Sequence, residues 1–177
     1  MKRLALLVGA VLVAVTAHPV HAQLGTRFLI GGGVQVPTGD FGDYAKTGWH
    51  AMIGIEFHPP AAPVSFRADG FYGRSTHEGD LGEATNLYGG MANVLYRLGA
   101  GPVRPYVIGG IGYAVHDYDP GSSGFEGGSE GKFTWGGGVG LNLAVGPLNL
   151  FGEGRYLARG SDTQFIPIVV GLSFGGG

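Results

Sequence analysis

Residues 151–156 read FGEGRY, which sets Glu153 and Arg155 two positions apart in an otherwise apolar, glycine-rich stretch. In an extended strand, residues i and i+2 share a face, so both charges meet the same surroundings. An acid and a base placed in that way can join a packed ion-pair network or can line and gate a path for ions. Arg27, Glu56, Arg67 and Asp69 are further charges of the same kind, each inside a stretch of apolar and glycine residues. The remaining candidate chemistry is weaker. Ser75–Glu78 reads STHE and holds suitable residue types, but consecutive loop residues cannot by themselves set a base against a nucleophile. His50, His58, His77 and His116 stand on separate segments without ligand spacing, so no metal is expected. Gly31–Gly33 and Gly136–Gly138 look superficially like phosphate loops; with no following helix or lysine they read instead as places where a strand bends or packs closely. No cofactor is implied.

The elements that carry these residues begin after an N-terminal segment of different character. Lys2 and Arg3 precede an apolar run from Leu4 to Val15, and Val20, His21 and Ala22 supply a cleavage pattern, so residues 1–22 read as an export signal. The run is shorter than the roughly 20 apolar residues a membrane-spanning helix needs. With no cysteine in the chain, a lipoprotein anchor and a disulfide scaffold are excluded. Residues 23–177 then suffice for one domain. Charged residues make up 14% and glycine 37 of 177 residues, against about 25% and ~7% in ordinary soluble domains. The near-neutral balance gives no reason to expect nucleic acid.

Period-two alternation of apolar and polar residues predicts eight strands, at 25–36, 49–58, 64–74, 86–97, 105–116, 132–145, 148–159 and 165–174, with no helix after the signal. The connections 37–48, 75–85 and 117–131 are long, and 59–63, 98–104, 146–147 and 160–164 are shorter. Long alternates with short until the last connection, the pattern of an all-β, eight-stranded antiparallel up-and-down barrel with unequal ends. Strands of about ten residues, rising ~3.3 Å each and tilted ~45°, make a wall of roughly 25 Å, the height of the apolar band of a transmembrane β-barrel.

One face of the strands carries no charge. At its loop end stand Trp49, Tyr72, Tyr88, Tyr113, Phe133, Trp135 and Tyr156, at its turn end Phe28, Phe57, Phe66, Tyr96 and Phe174, with aliphatic residues between. Two such aromatic girdles suit the two interfaces of a membrane. The other face holds Arg27, Gln35, His50, Glu56, Arg67, Asp69, Asn93, Arg97, Thr134, Asn142, Asn149, Glu153 and Arg155 among many glycines. A soluble cup would turn this face to water and fill it with Lys and Glu; no lysine lies in any strand interior. The polar face therefore lines a lumen that side chains can fill. The two-residue connection Gly146–Pro147 sets Glu153 opposite Gly140 and Arg155 opposite Gly138, and the connection before Phe165 brings Gly171 beside Glu153. Glu56 falls near Arg67 across the second hairpin, with Asp69 one step on. Acids Glu56, Asp69 and Glu153 then balance bases Arg27, Arg67 and Arg155 as an ion-pair network that plugs the barrel.

The stretches VRPYVIGGIGYAV (103–115), FTWGGGVGLNL (133–143), FGEGRYL (151–157) and FIPIVVGLSF (165–174) resemble the OmpA-like eight-stranded outer-membrane β-barrel family, which includes OmpX-like and opacity-type proteins. The resemblance implies a monomer in the bacterial outer membrane, in contact with its lipid and lipopolysaccharide. It also implies insertion by the barrel assembly machinery, both termini in the periplasm, and an inward acid–base pair like Glu153 and Arg155. Gly175–Gly177 follow the last aromatic, Phe174, where members usually finish. OmpA's peptidoglycan-binding domain has no counterpart, so no cell-wall tether is expected. Lipid A deacylases of this size resemble barrels with a His-x-Ser element, absent here, and omptin-like proteases need ten strands, so the expectation is non-enzymatic. Three roles stay open: a plugged structural or surface-interaction barrel, a narrow passive pore, and ligand binding or adhesion through acidic loops. Those loops hold Glu78, Asp80 and Glu83, and Asp117, Asp119, Glu126 and Glu130. They could bind cations, a basic partner or divalent-bridged lipopolysaccharide, or act as a solvated acidic rim.

Overall fold

The computed structural model describes residues 25–59, 62–77, 83–99, 101–121, 127–145, 148–160 and 163–175. The expectations for the export segment, Glu78, Asp80, Glu126, Gly146–Pro147 and Gly176–Gly177 fall outside them. Eight strands run β1 Gly25–Thr38, β2 Gly48–His58, β3 Val64–Thr76, β4 Ala84–Arg97, β5 Val103–Asp119, β6 Gly128–Val145, β7 Leu148–Arg159 and β8 Thr163–Gly175. Each pairs antiparallel with the next, and β8 returns to β1 from Thr38↔Gln164 to Arg27↔Gly175, so the barrel closes as the alternation predicts. Closure leaves no open sheet edge, the condition for a β-wall in hydrocarbon.

Most of the extra strand length lies at the loop end. Pairs such as Ser75↔Thr85, Asn86↔Asp117 and Asp117↔Ser129 continue the ladder past the girdle. A ladder needs only backbone groups, so the wall outlasts its hydrophobic alternation, and polar positions that read as loop belong to strands. Between Thr38 and Gly48 the chain also forms a short 3-10 turn, Gly39–Asp43, where no helix was expected. Its Phe41 is fully buried, in contact with His116 and Tyr44.

The outward face is apolar. All twelve girdle aromatics are between 39% and 57% exposed, and Ile53, Val139 and Val170 between them are more so. Neighbouring rings pack around the wall, Trp49 tilted against Tyr72 at 5.2 Å and Tyr72 stacked on Tyr88 at 6.2 Å at one end, Phe28 stacked on Phe174 at 6.0 Å at the other. A continuous apolar surface of this kind suits lipid, not water.

The lumen differs from expectation in one respect. Beside the polar residues it contains an apolar cluster of Leu29, Met52, Phe71, Leu87, Met91, Phe151, Leu157, Phe165 and Val169, which reaches Phe41 in the 3-10 turn, and a second group of Leu95, Tyr106 and Ile108. Inward glycines make room for these side chains. A Cβ on Gly140 would fall inside the Tyr106 ring, and one on Gly171 would meet the Phe151 ring at 2.6 Å. Gly140→Ala is therefore expected to cost about 1–3 kcal/mol by overpacking. Gly152, which faces outward with nothing near a Cβ, should accept alanine within about 0.5 kcal/mol. Urea unfolding of the two variants in detergent micelles checks both.

Candidate functional site in the lumen

The register at β6–β7 places Glu153 opposite Gly140 and Arg155 opposite Gly138, as the two-residue connection predicts. At β7–β8 the expectation fails: Glu153 lies opposite Val169, and Gly171 opposite Phe151. Thr163 and Gln164 join β8, Arg159 pairs with Thr163, and the register shifts by two residues. A shift of two keeps every side chain on its face, so Glu153 still points inward.

Glu153 is the centre of the lumen. Arg67 Nη2 donates to its Oε1 at 2.7 Å and Oε2 at 2.8 Å, Tyr106 donates its hydroxyl to Oε2 at 2.7 Å, and Arg155 Nε lies 2.9 Å from Oε1. Asp69 completes the arrangement. Arg155 Nη1 donates to its Oδ2 at 3.0 Å, and Asn93 Nδ2 to the same oxygen at 2.9 Å. Arg67 Nε stands 2.9 Å from Asp69 Oδ1, a charge contact without hydrogen-bond alignment. The four charged side chains are at most 2% exposed. Two acids and two bases thus form a neutral quartet joining β3 and β7 across the barrel, with Tyr106 of β5 bonded to Glu153.

Glu56 and Arg27 are not part of it. Glu56 does lie opposite Arg67 in register, but its carboxylate is bound by Arg97, which also donates to Ser65 and lies 3.2 Å from His58 Nδ1. Arg67 turns instead to Glu153 and Asp69. Arg27 makes no ion pair among the described residues and feels Glu56 only at longer range. The expected balance of three acids against three bases therefore divides in two: a neutral centre, and a turn end where Arg27, Arg97 and Arg104 face Glu56. Arg97 belongs to the inward face by alternation; its pairing could not be read because an arginine reaches across two strands. Tyr106 was missed, although an inward aromatic opposite Gly140 is a legible signal for a side chain crossing the lumen.

At the loop end, His50 Nδ1 lies 3.4 Å from Gln35 Oε1, and Gln35 donates to Ser75 Oγ at 3.2 Å. Thr85 Oγ1 sits 2.8 Å from His77 Nε2 and 3.1 Å from His116 Nε2. Burial pushes the His77 imidazole down, against the opposing pull of Glu83. Ser75 and His77 of STHE thus take separate partners, and no nucleophile–base pair forms between them. Arg159, buried beside them, donates to the carbonyls of Ala114 and Glu130. No group of three metal-ligating side chains converges among the described residues.

The sequence from residue 5 to 171 matches the model of the outer membrane protein beta-barrel domain. Solved structures of similar fold include Neisserial surface protein A (TM-score 0.66, 17% identity, covering 85% of this chain and 96% of that one). Ail, the attachment invasion locus protein of Yersinia pestis, gives 0.61 and 15%, covering 85% and 98%. The N-terminal β-barrel domain of Pseudomonas aeruginosa OprF gives 0.52 and 15%, covering 85% and 97%. No curated protein sequence matches.

Removing one partner of a buried ion pair costs about 3–5 kcal/mol, because the other charge is stranded. Glu153→Gln is expected to lose stability of that order in urea unfolding. Adding Arg67→Met, which restores neutrality, should recover part of the loss.

Proposed function

The chain belongs to the outer membrane protein beta-barrel domain family, and from that premise we propose a non-enzymatic role as a plugged barrel of the bacterial outer membrane that carries its loops at the cell surface. The observation that supports plugging is Glu153 bound from β3, β5 and β7 at once, with apolar side chains from Leu29 to Phe41 filling the lumen beyond it. An eight-stranded lumen holds little more than its own side chains, and a neutral quartet offers no net charge to attract a passing ion. In this reading residues 1–22 are removed on export, the barrel assembly machinery inserts the chain, both termini face the periplasm, and the girdles meet lipid and lipopolysaccharide. Conductance of the refolded barrel in a planar bilayer tests the proposal, with heat-modifiable gel mobility as the control for insertion. The wild type is expected to be silent. Discrete, reproducible steps would make the lumen a pore, with Glu153 and Arg155 as its gate.

A second reading, binding through the loops, has a specific observation behind it. Asp40, Asp43, Glu83, Asp117, Asp119 and Glu130 gather at the loop end, against Lys46, Arg74, Lys132 and Arg159. Ail has been crystallised with sucrose octasulfate, a heparin analogue; an acidic loop end is the wrong sign for a polysulfate and favours a basic ligand. The test is neutralisation of the rim acids in place, with Asp40→Asn, Asp43→Asn, Asp117→Asn, Asp119→Asn and Glu130→Gln combined. Loss of binding to a polylysine surface, with the barrel still folded, is the expected result for this reading.

A further inference from the structure

The turn end has an unusual distribution of charge. Its connections, 59–63, 98–102 and 146–147, contain no Lys, Arg, Asp or Glu. The charges there sit at inward positions of the strands instead: Arg27 on β1, Glu56 on β2, Arg97 on β4 and Arg104 on β5. Arg27 lies opposite Glu56, and Arg104 opposite Asn142. Arg27 is within electrostatic reach of Glu56, Arg97 and Arg104 together, so the three guanidiniums share one mouth.

Among the described residues, one side-chain carboxylate answers them. Glu56 is taken by Arg97, which is 8% exposed. Arg104 has a single hydrogen bond, to Asn149 Oδ1 at 3.5 Å, and Arg27 has none among the described residues. The Nε atoms of Arg97 and Arg104 are both buried without an acceptor. The other inward polar side chains nearby, His58, Asn142, Asn149, Ser65 and Ser173, supply no negative charge. Arg27 and Arg104 are half-buried, so water offsets their charge only in part, and among the described residues this mouth holds two positive charges and two buried N–H donors in excess. Guanidinium forks match the geometry of phosphate oxygens.

We infer that the turn-end mouth is an oxyanion site formed by Arg27, Arg97 and Arg104, which takes a phosphate group from the turn-end side. The phosphate is either free or the headgroup of a phospholipid in the facing leaflet. The inference stands apart from whether the lumen conducts.

Calorimetric titration of inorganic phosphate into the refolded barrel in uncharged micelles, with chloride exchanged to hold ionic strength constant, tests it. Saturable binding is expected, weakened at least tenfold in Arg27→Gln/Arg104→Gln. That variant leaves the Glu56–Arg97 pair intact and so should fold; the single variant Arg104→Gln gives the same reading if it does not. Arg74→Gln, at the opposite end, should bind like the wild type. Absence of saturable heat beyond that of chloride, or equal affinity in the arginine variants, would overturn the site. Adding phosphatidylglycerol to the micelles identifies the source: competition with phosphate assigns the lipid headgroup, and no competition assigns the free anion.

Discussion

Closing eight strands on themselves leaves a lumen about one layer of side chains wide, and that narrowness governs what each inward position can hold. Large side chains can enter only where the facing wall gives way, so Tyr106 lies over Gly140 and Phe151 over Gly171. The glycine content, which in a soluble domain would suggest loops, is here a packing requirement of the strands. Outside, the same closure satisfies the backbone within the wall and leaves only side chains to face the surroundings. The apolar outer surface and the filled interior both follow from one closed ladder.

Why the centre is charged is a separate matter, because Leu, Met and Phe already fill much of the lumen. Apolar replacement of a buried ion network is often neutral or stabilising, so the quartet adds little as filler. What it adds is a single permitted arrangement. Glu153 meets Arg67 of β3 across the barrel and Tyr106 of β5 beside it. A two-residue slip of β7 in one direction would set Glu153 against Asn142, which carries an inward side chain where Gly140 has none. Hydrophobic alternation is indifferent to such a slip, since it returns every side chain to its face. The charges are not.

That difference marks what could be read from the sequence. Strand number, closure, the inward or outward direction of each side chain and the β6–β7 register were legible, because period-two alternation and a two-residue connection are local signals. The β7–β8 register was not, because Thr163 and Gln164 are polar above the apolar band and carry no sign that the ladder includes them. Pairing in the lumen was legible only as a set of candidates. Glu56 has Arg67 directly opposite, yet binds Arg97, since a long side chain selects its partner in three dimensions from every inward strand. Arg104 looked like part of a turn, and with it the positive excess at that end was hidden. Phe41 lay in a long connection where nothing in the residue pattern shows that a ring turns back into the mouth.

The two ends of the barrel deal with like charges by different means. At the loop end the acids lie on long connections and on strand segments beyond the girdle, and Asp119 is open to solvent, with Arg74 at 3.1 Å and the Gly121 amide at 3.2 Å. Water and salt screen such groups within roughly 10 Å, so an acidic rim is tolerated with exposed pairs such as Asp119–Arg74 and Glu130–Lys132. At the turn end the connections are short and uncharged, and the guanidiniums stand on the wall itself, directed into a mouth that Asn142, Asn149 and Ser173 narrow further. Screening is poorest where charges are confined between low-dielectric walls. The short, uncharged turns therefore leave the half-buried Arg27 and Arg104 with Glu56, already bound to Arg97, as their one inward counter-charge among the described residues.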